Sequence, residues 1–419
     1  MGRKKVFCMA FGLMVVLALL CSAANAERLE LFGKPLDVYG LISQNASFGW
    51  HQEFDTEAGL NSSIWTVLLE GAYQPTSRLK AFGQFILVGD WVYALKNSDD
   101  SWVRKEFDKS DSALELDDHY WQIVKELHLT WSSGNFLFRI GKQIISWGET
   151  DAIRVMDQIN PLDERRGIAD VEFESTIIPI WLVRADYSPP IESAWLQDLN
   201  IQFWFNPNAD FIPGQPLLPG NDVAGIWGPY MRLDPTDPSL LLGSLDLRTE
   251  EPDAWSSEGH EYGLRLQGLI KDALVSLNGF YGRENNFVLE PLPVDPGISF
   301  ADRFILVHPT AMATYPYLRF VGGTFSKDLQ FVGNLVKYTP VLRVETLYAF
   351  DSTFSTVPGT LVKKDELRWA VGLDWKTDIY FLNPSHGISF SGQFFHRKIF
   401  DFPDEAPLDS FEDDNYTAT

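Results

Sequence analysis

Hydrophobic and polar residues alternate along most of the chain with a period of two. From Glu261 to Leu266, Tyr262, Leu264 and Leu266 share one face of an extended segment while Glu261, Gly263 and Arg265 share the other, because successive strand side chains point to opposite sides. Leu367, Trp369, Val371, Leu373 and Trp375 alternate in the same way with Arg368, Ala370, Gly372 and Asp374. A third example sets Leu342, Val344, Thr346 and Tyr348 against Arg343 and Glu345. Read through the chain, the pattern predicts thirteen strands, near 36–48, 61–74, 78–92, 121–132, 135–147, 178–189, 198–206, 258–270, 272–285, 316–326, 338–350, 366–377 and 386–398. Most reach or exceed the roughly 9 to 11 residues that a tilted strand needs to cross a bilayer.

Connection lengths sharpen this expectation. Gln74 to Ser77, Ser132 to Asn135 and Lys271 to Asp272 read as tight turns, whereas the links near 93–120, 148–177, 207–257 and 286–315 are long. Short turns on one side and long loops on the other are the signature of an outer-membrane barrel, with the turns periplasmic and the loops extracellular. Trp131, Trp147, Trp181, Trp204, Tyr348, Trp369 and Trp375 fall near predicted strand ends, where amphipathic rings favour the interface between headgroups and hydrocarbon. The expected fold is therefore an all-β, antiparallel transmembrane β-barrel. Bacterial single-chain barrels use even strand numbers, so about 14 or more strands are expected in the complete protein. The tail from Asp414 to Thr419 reads as the start of another strand and lacks a terminal aromatic residue. On that basis the sequence is expected to stop short of the last strands, the alternative being a strand count off by one.

The first residues have a different composition. Arg3, Lys4 and Lys5 precede an apolar run from Val6 to Leu20, and Ala24-Asn25-Ala26 supplies a small-x-small pattern. Together these read as a secretory signal peptide over 1–26, with residues 27–419 forming the barrel. A competing reading makes Cys21 a lipidated cysteine, although Leu20 stands where a small residue is expected. Both cysteines, Cys8 and Cys21, lie in the segment to be removed, so no disulfide framework is expected. The remaining chain has no run approaching the roughly 20 apolar residues of a membrane-spanning helix. A formal net charge of -23 argues against a nucleic-acid partner.

The stretch from Arg139 to Tyr187 contains Arg139-Ile140-Gly141-Lys142-Gln143, Ser146-Trp147-Gly148-Glu149, Ile159-Asn160-Pro161-Leu162-Asp163 and Val183-Arg184-Ala185-Asp186-Tyr187. In that order these elements resemble the domain of unknown function 1302 family, bacterial outer-membrane proteins expected to form barrels. The segment Glu261-Tyr262-Gly263-Leu264-Arg265-Leu266 is similar to a strand of the same family. The resemblance implies a fold and a location, and no catalytic or binding residue.

With the apolar face on lipid, the polar face lines a lumen. The expected inward residues are Glu126, Arg139, Arg184, Asp186, Glu261, Arg265, Arg319, Arg343, Glu345, Arg368 and Asp374. Rows of arginine facing carboxylates set up a transverse field that orients polar solutes, while the same charges also brace a barrel interior. The long link from Gly148 to Thr176 carries bends at Asn160-Pro161 and Arg166-Gly167. Its mixed charges are Asp151, Arg154, Asp157, Asp163, Arg165 and Arg166. This link is the candidate for a constriction or plug, its alternative being a solvated exterior loop.

Acidic clusters at 99–118 and 404–414 lack the glycine spacing of a calcium loop, and the seven histidines are scattered. No metal, cofactor or catalytic constellation is expected. The expected function is a channel or facilitator for passive passage of small solutes through a charged lumen. Alternatives are a barrel that carries hydrophobic molecules, a non-conducting partner of an export or assembly system, and a secreted carbohydrate-binding or hydrolytic β-protein. Expected partners are outer-membrane lipid and lipopolysaccharide, a small solute, and a further copy or a periplasmic protein.

Overall fold

The computed structural model describes residues 27–49, 59–96, 123–150, 153–163, 176–191, 193–214, 246–291, 310–333, 337–356, 361–383, 385–402 and 413–419. In chain order the strands are β1 (Glu27–Leu31), β2 (Lys34–Gly49), β3 (Gly59–Thr76), β4 (Leu79–Asp90), β5 (Val124–Ser133), β6 (Phe136–Gln143), β7 (Ile180–Tyr187), β8 (Leu196–Asn206) and β9 (Asp246–Glu250). They continue as β10 (Glu261–Ile270), β11 (Ala273–Arg283), β12 (Val288–Pro291), β13 (Thr310–Thr314), β14 (Tyr317–Asp328), β15 (Val341–Ser355), β16 (Leu361–Thr377), β17 (Ile388–Ile399) and β18 (Asp414–Ala418).

Fifteen of these form one sheet in which every neighbour in space is the next such strand in sequence, from β1 to β18. All its pairings are antiparallel, as in β10 against β11 or β15 against β16. The small strands β9, β12 and β13 form a separate three-stranded sheet within the long connections, and β13 runs parallel to β9. Each predicted strand corresponds to a strand of the large sheet, β18 is the strand expected to begin at Asp414, and β1 is an addition. The signal-peptide segment 1–26 lies outside the described residues, as do residues 99–118 and most of 404–414.

Turn chemistry explains the tight side. Phe32 and Gly33 have φ of 52° and 70°, and Lys271 and Asp272 have φ of 45° and 66°. Two consecutive positive φ values define the hairpin turn whose twist matches that of its strands. The opposite ends of the strands carry the long links, including 91–123, 144–179, 207–260 and 284–316.

One face of the sheet is apolar and uncovered. Leu127, Leu129, Ile140, Val183, Phe203, Leu264, Leu266, Leu277, Val321 and Leu373 are all exposed, on strands spread from β5 to β16. A water-soluble protein does not leave so broad a greasy belt open. Rings border the belt at both levels. Near the tight turns, Phe136 stacks on Tyr187 at 4.6 Å and Trp375 on Phe390 at 5.4 Å. Near the long links, Phe205, Tyr262, Tyr281 and Tyr317 form a ladder with centroid spacings of 6.2, 5.2 and 5.3 Å. These are the two aromatic girdles of an outer-membrane strand protein. Among the described residues no helix is long and apolar enough to cross a membrane.

Inward residues of β7, β8, β11, β14, β15, β16 and β17 meet in a single buried cluster. Strands so far apart in the order share neighbours only because the sheet rolls around an interior, as an antiparallel transmembrane β-barrel.

Candidate functional site: a chain segment inside the barrel

Strand β6 was expected to run to residue 147 but ends at Gln143. Gly141 has a φ of +133°, and a Cβ there would lie 2.2 Å from the Leu127 carbonyl oxygen. Only glycine allows this close approach. The chain then leaves the sheet and enters the interior. Its apolar residues Ile145, Trp147, Val155, Met156 and Ile159 pack against Leu182, Trp204, Phe280, Phe320 and Leu347 of the wall. Gly263 makes room for this packing, since a Cβ there would lie 2.6 Å from the Trp147 ring and 2.4 Å from Trp204 Nε1.

A segment without regular structure must satisfy its backbone through side chains. Asp157 accepts from the Trp147 and Gly148 amides at 2.5 and 2.8 Å and from the Ser146 hydroxyl at 3.1 Å. Asn160 accepts from the Ile145 amide at 2.8 Å and donates to the Ile178 carbonyl at 2.9 Å, tying both ends of the link together. Arg154 donates to the Asn160 carbonyl at 2.9 Å.

The wall supplies the remaining partners. Glu345, fully buried on β15, accepts from the Thr150 amide at 2.6 Å, the Met156 amide at 3.0 Å and the Glu149 amide. Arg343 donates to the Glu149 carbonyl and holds Asp374 at 2.7 Å. Arg265 donates to the Ser146 carbonyl at 3.2 Å. Across the lumen, Trp147 Nε1 donates to Gln202 at 2.9 Å, and Gln202 donates to Asp186 at 3.0 Å. Asp186 in turn pairs with Arg184 at 2.7 Å. The segment is therefore fastened to β7, β8, β10 and β15.

The register places Glu126, Arg139, Arg184, Asp186, Glu261, Arg265, Arg343, Glu345, Arg368 and Asp374 on the interior face. Arg319 is the exception. It lies opposite Tyr281 and Phe350 on the outer face, is paired with Asp351, and its side chain is 46% exposed. The third residue of β14 sits at the rim, where an outward arginine meets water and headgroups; its neighbours Leu318 and Phe320 turn inward because the segment offers them an apolar interior. Trp147 and Trp204, expected at the membrane interface, are likewise buried inside. Of the loop candidates, Arg154, Asp157 and Asp163 are placed near the segment's own turns, while Asp151, Arg165 and Arg166 lie outside the described residues. Among the described residues no three histidine, cysteine or acidic side chains converge as metal ligands would.

A family model described as "Protein of unknown function (DUF1302)" matches residues 52–417. The chain belongs to the DUF1302 family. No curated protein matches it. Among solved structures, OmpT, an outer-membrane protein of Vibrio cholerae, is similar with 10% identity, coverage of 89% of this chain and 90% of that one, and a TM-score of 0.33. Salmonella typhi OmpF, solved in complex with daunomycin, has 9% identity, coverages of 94% and 98%, and a TM-score of 0.37. Acinetobacter baumannii OccAB4 has 9% identity, coverages of 90% and 84%, and a TM-score of 0.37.

Several structurally important residues of this DUF1302 chain were not singled out by sequence patterning. Glu366 is fully buried between Arg368 and Arg397, with Arg397 Nε at 2.8 Å and the Ser352 hydroxyl at 3.0 Å. Its alternation with Arg368 and Ala370 was a usable signal. Gln202 gave none, because uncharged polar residues at inward positions are common, and Asn160 was read only as a bend and as part of the family stretch.

Proposed function

We propose that this outer-membrane barrel is a channel for passive passage of small polar solutes, narrowed by the segment 144–163. The carrying observation is a difference in exposure within the interior. Apolar interior residues such as Trp147, Trp204, Leu318 and Leu347 are covered to within 1% of complete burial. Several charged side chains keep contact with water, with exposures of 23% for Arg184, 31% for Asp374 and 27% for Arg397. The part of the interior that water reaches thus includes paired charges, which favours a solute path over an apolar carrier pocket. The expected partners are outer-membrane lipid and lipopolysaccharide on the belt and a small solute in the lumen, without a cofactor or catalytic step.

Planar-bilayer recording with purified, heat-modifiable protein tests this reading. Discrete ionic steps of small unitary conductance are expected. Inserted protein that passes neither ions nor small sugars in liposome swelling would instead be a non-conducting scaffold.

A further inference from the structure

We propose that an arc of cations on the interior wall, Lys80, Arg139 and Arg184, binds the carboxylate of a small organic acid. The substrate class deepens the channel reading above and rests on it. The register sets Lys80 opposite Thr130, Thr130 opposite Arg139, and Arg139 opposite Arg184. Four neighbouring strands thus hold three cations and a hydroxyl at one level of the lumen. Like charges directly opposite each other across a strand pair are unfavourable unless an anion lies between them.

The barrel contains an internal template for what fills such a pair. Arg368 and Arg397 are also direct cross-strand neighbours, and between them lies the buried carboxylate of Glu366, in contact with Arg368 and 2.8 Å from Arg397 Nε. The pair Arg139 and Arg184 differs in that its carboxylate, Asp186, pairs with Arg184 alone, while Glu126 and Asp186 act on Arg139 only through their charge. Arg139 Nε donates to the Thr130 hydroxyl at 3.0 Å, and among the described residues no carboxylate forms an ion pair with Arg139. Asp186 occupies Nε and one terminal nitrogen of Arg184, at 2.7 and 2.9 Å. The second terminal nitrogen of Arg184 and both of Arg139 are left for a ligand. Two guanidinium groups presenting planar donors match a carboxylate in the bidentate manner that a single ammonium does not.

Its location suits a passing solute. The next residue at this level is Trp204 on β8, opposite Arg184, and Trp204 packs on Trp147 of the inner segment with ring centroids 6.2 Å apart. The arc therefore borders the narrowing itself. Thr130 in turn lies 3.5 Å from His128 Nδ1, and His128 stacks on Phe82 at 5.1 Å, which gives the site one ringed, less polar flank for a short hydrocarbon tail.

The test uses the full protein folded in detergent and, separately, in planar bilayers. Sodium butyrate is the probe, with 1-butanol and sodium chloride as controls. Calorimetric titration is expected to detect butyrate and not butanol, with affinity weakened about tenfold or more in Arg139→Gln. Arg139→Lys should recover part of the loss, and Arg319→Gln on the outer face should change nothing. In bilayers, butyrate should reduce the chloride current of the wild type and spare that of Arg139→Gln. Equal competition by chloride, or butyrate affinity unaltered in a heat-modifiable Arg139→Gln barrel, would overturn the carboxylate site. Butyrate binding in a barrel that passes no current would uphold the site and overturn the channel.

Discussion

The Glu345 carboxylate accepts a hydrogen bond from the backbone amide of Thr150 at 2.6 Å, although 195 residues separate the two in sequence. The same carboxylate receives the amides of Glu149 and Met156, so one wall residue holds both limbs of the inner segment. Glu345→Ala leaves these three donors, the Met156 amide buried and the other two half-buried, without their acceptor. At about 1–3 kcal/mol for each unsatisfied group, the segment should detach while the strand ladder persists. Expected are a larger and noisier unitary conductance and a lower urea midpoint. A variant with wild-type conductance would show that the segment does not limit the pore.

Asn160 is the second fastening, fully buried and bonded to Ile145 and Ile178 at the two ends of the link. Asn160→Ala should cost about 2–4 kcal/mol, from two or more backbone groups left unpaired. Limited proteolysis should then cut within 144–163 in the intact barrel. Asn160→Asp, which keeps the acceptor and loses the donor, should fall between wild type and alanine.

Gly263 faces Trp147 and Trp204 with no room for a Cβ. Gly263→Val should displace the two indoles, with loss of near-ultraviolet circular dichroism and unchanged far-ultraviolet strand signal. An unaltered near-ultraviolet spectrum would contradict the packing.

Leu129 is 49% exposed in the middle of β5, where it meets hydrocarbon. Leu129→Arg should destabilise the folded barrel by about 2–4 kcal/mol in lipid, the usual cost of a cation near the bilayer midplane. Retained stability in equilibrium unfolding from vesicles would argue that this face does not touch lipid.

At the turn side, Lys337 pairs with Asp378 at 2.6 Å and joins the link before β15 to the link after β16. Hydrogen bonding to Lys337, then to Tyr338, holds the Asp378 carboxyl below its ordinary value, and the same bond to Asp378 raises the ammonium. A depressed carboxyl contributes above its unfolded pKa and loses that contribution as pH falls through the folded one. A raised ammonium contributes below its unfolded pKa and loses it as pH rises through the folded one. The bridge should thus persist through neutral pH and open in acid below the usual aspartate range and again in strong base. Amide hydrogen exchange in residues 378–383 should be insensitive to pH 6–8 after correction for intrinsic rate, and faster throughout in Asp378→Asn.

The strands and their membrane-facing side were legible in the sequence, because lipid imposes an apolar residue at every second position and water or neighbouring charge tolerates the rest. Leu264, Leu129 and Leu373 carry that imprint without reference to any distant partner. β1 escaped notice because five residues with charges on both flanks hold too little alternation, and its pairing with β2 decides its state. Arg319 was placed on the wrong face because polarity was read as lumen, whereas at the rim the outer face is polar as well. Only the tertiary structure decided that the link after β6 turns inward, since its apolar residues follow no regular period and its acceptors stand on β8 and β15, far along the chain. Whether two arginines share or lack a carboxylate likewise depends on register and on the neighbour across the strand, which local pattern does not carry.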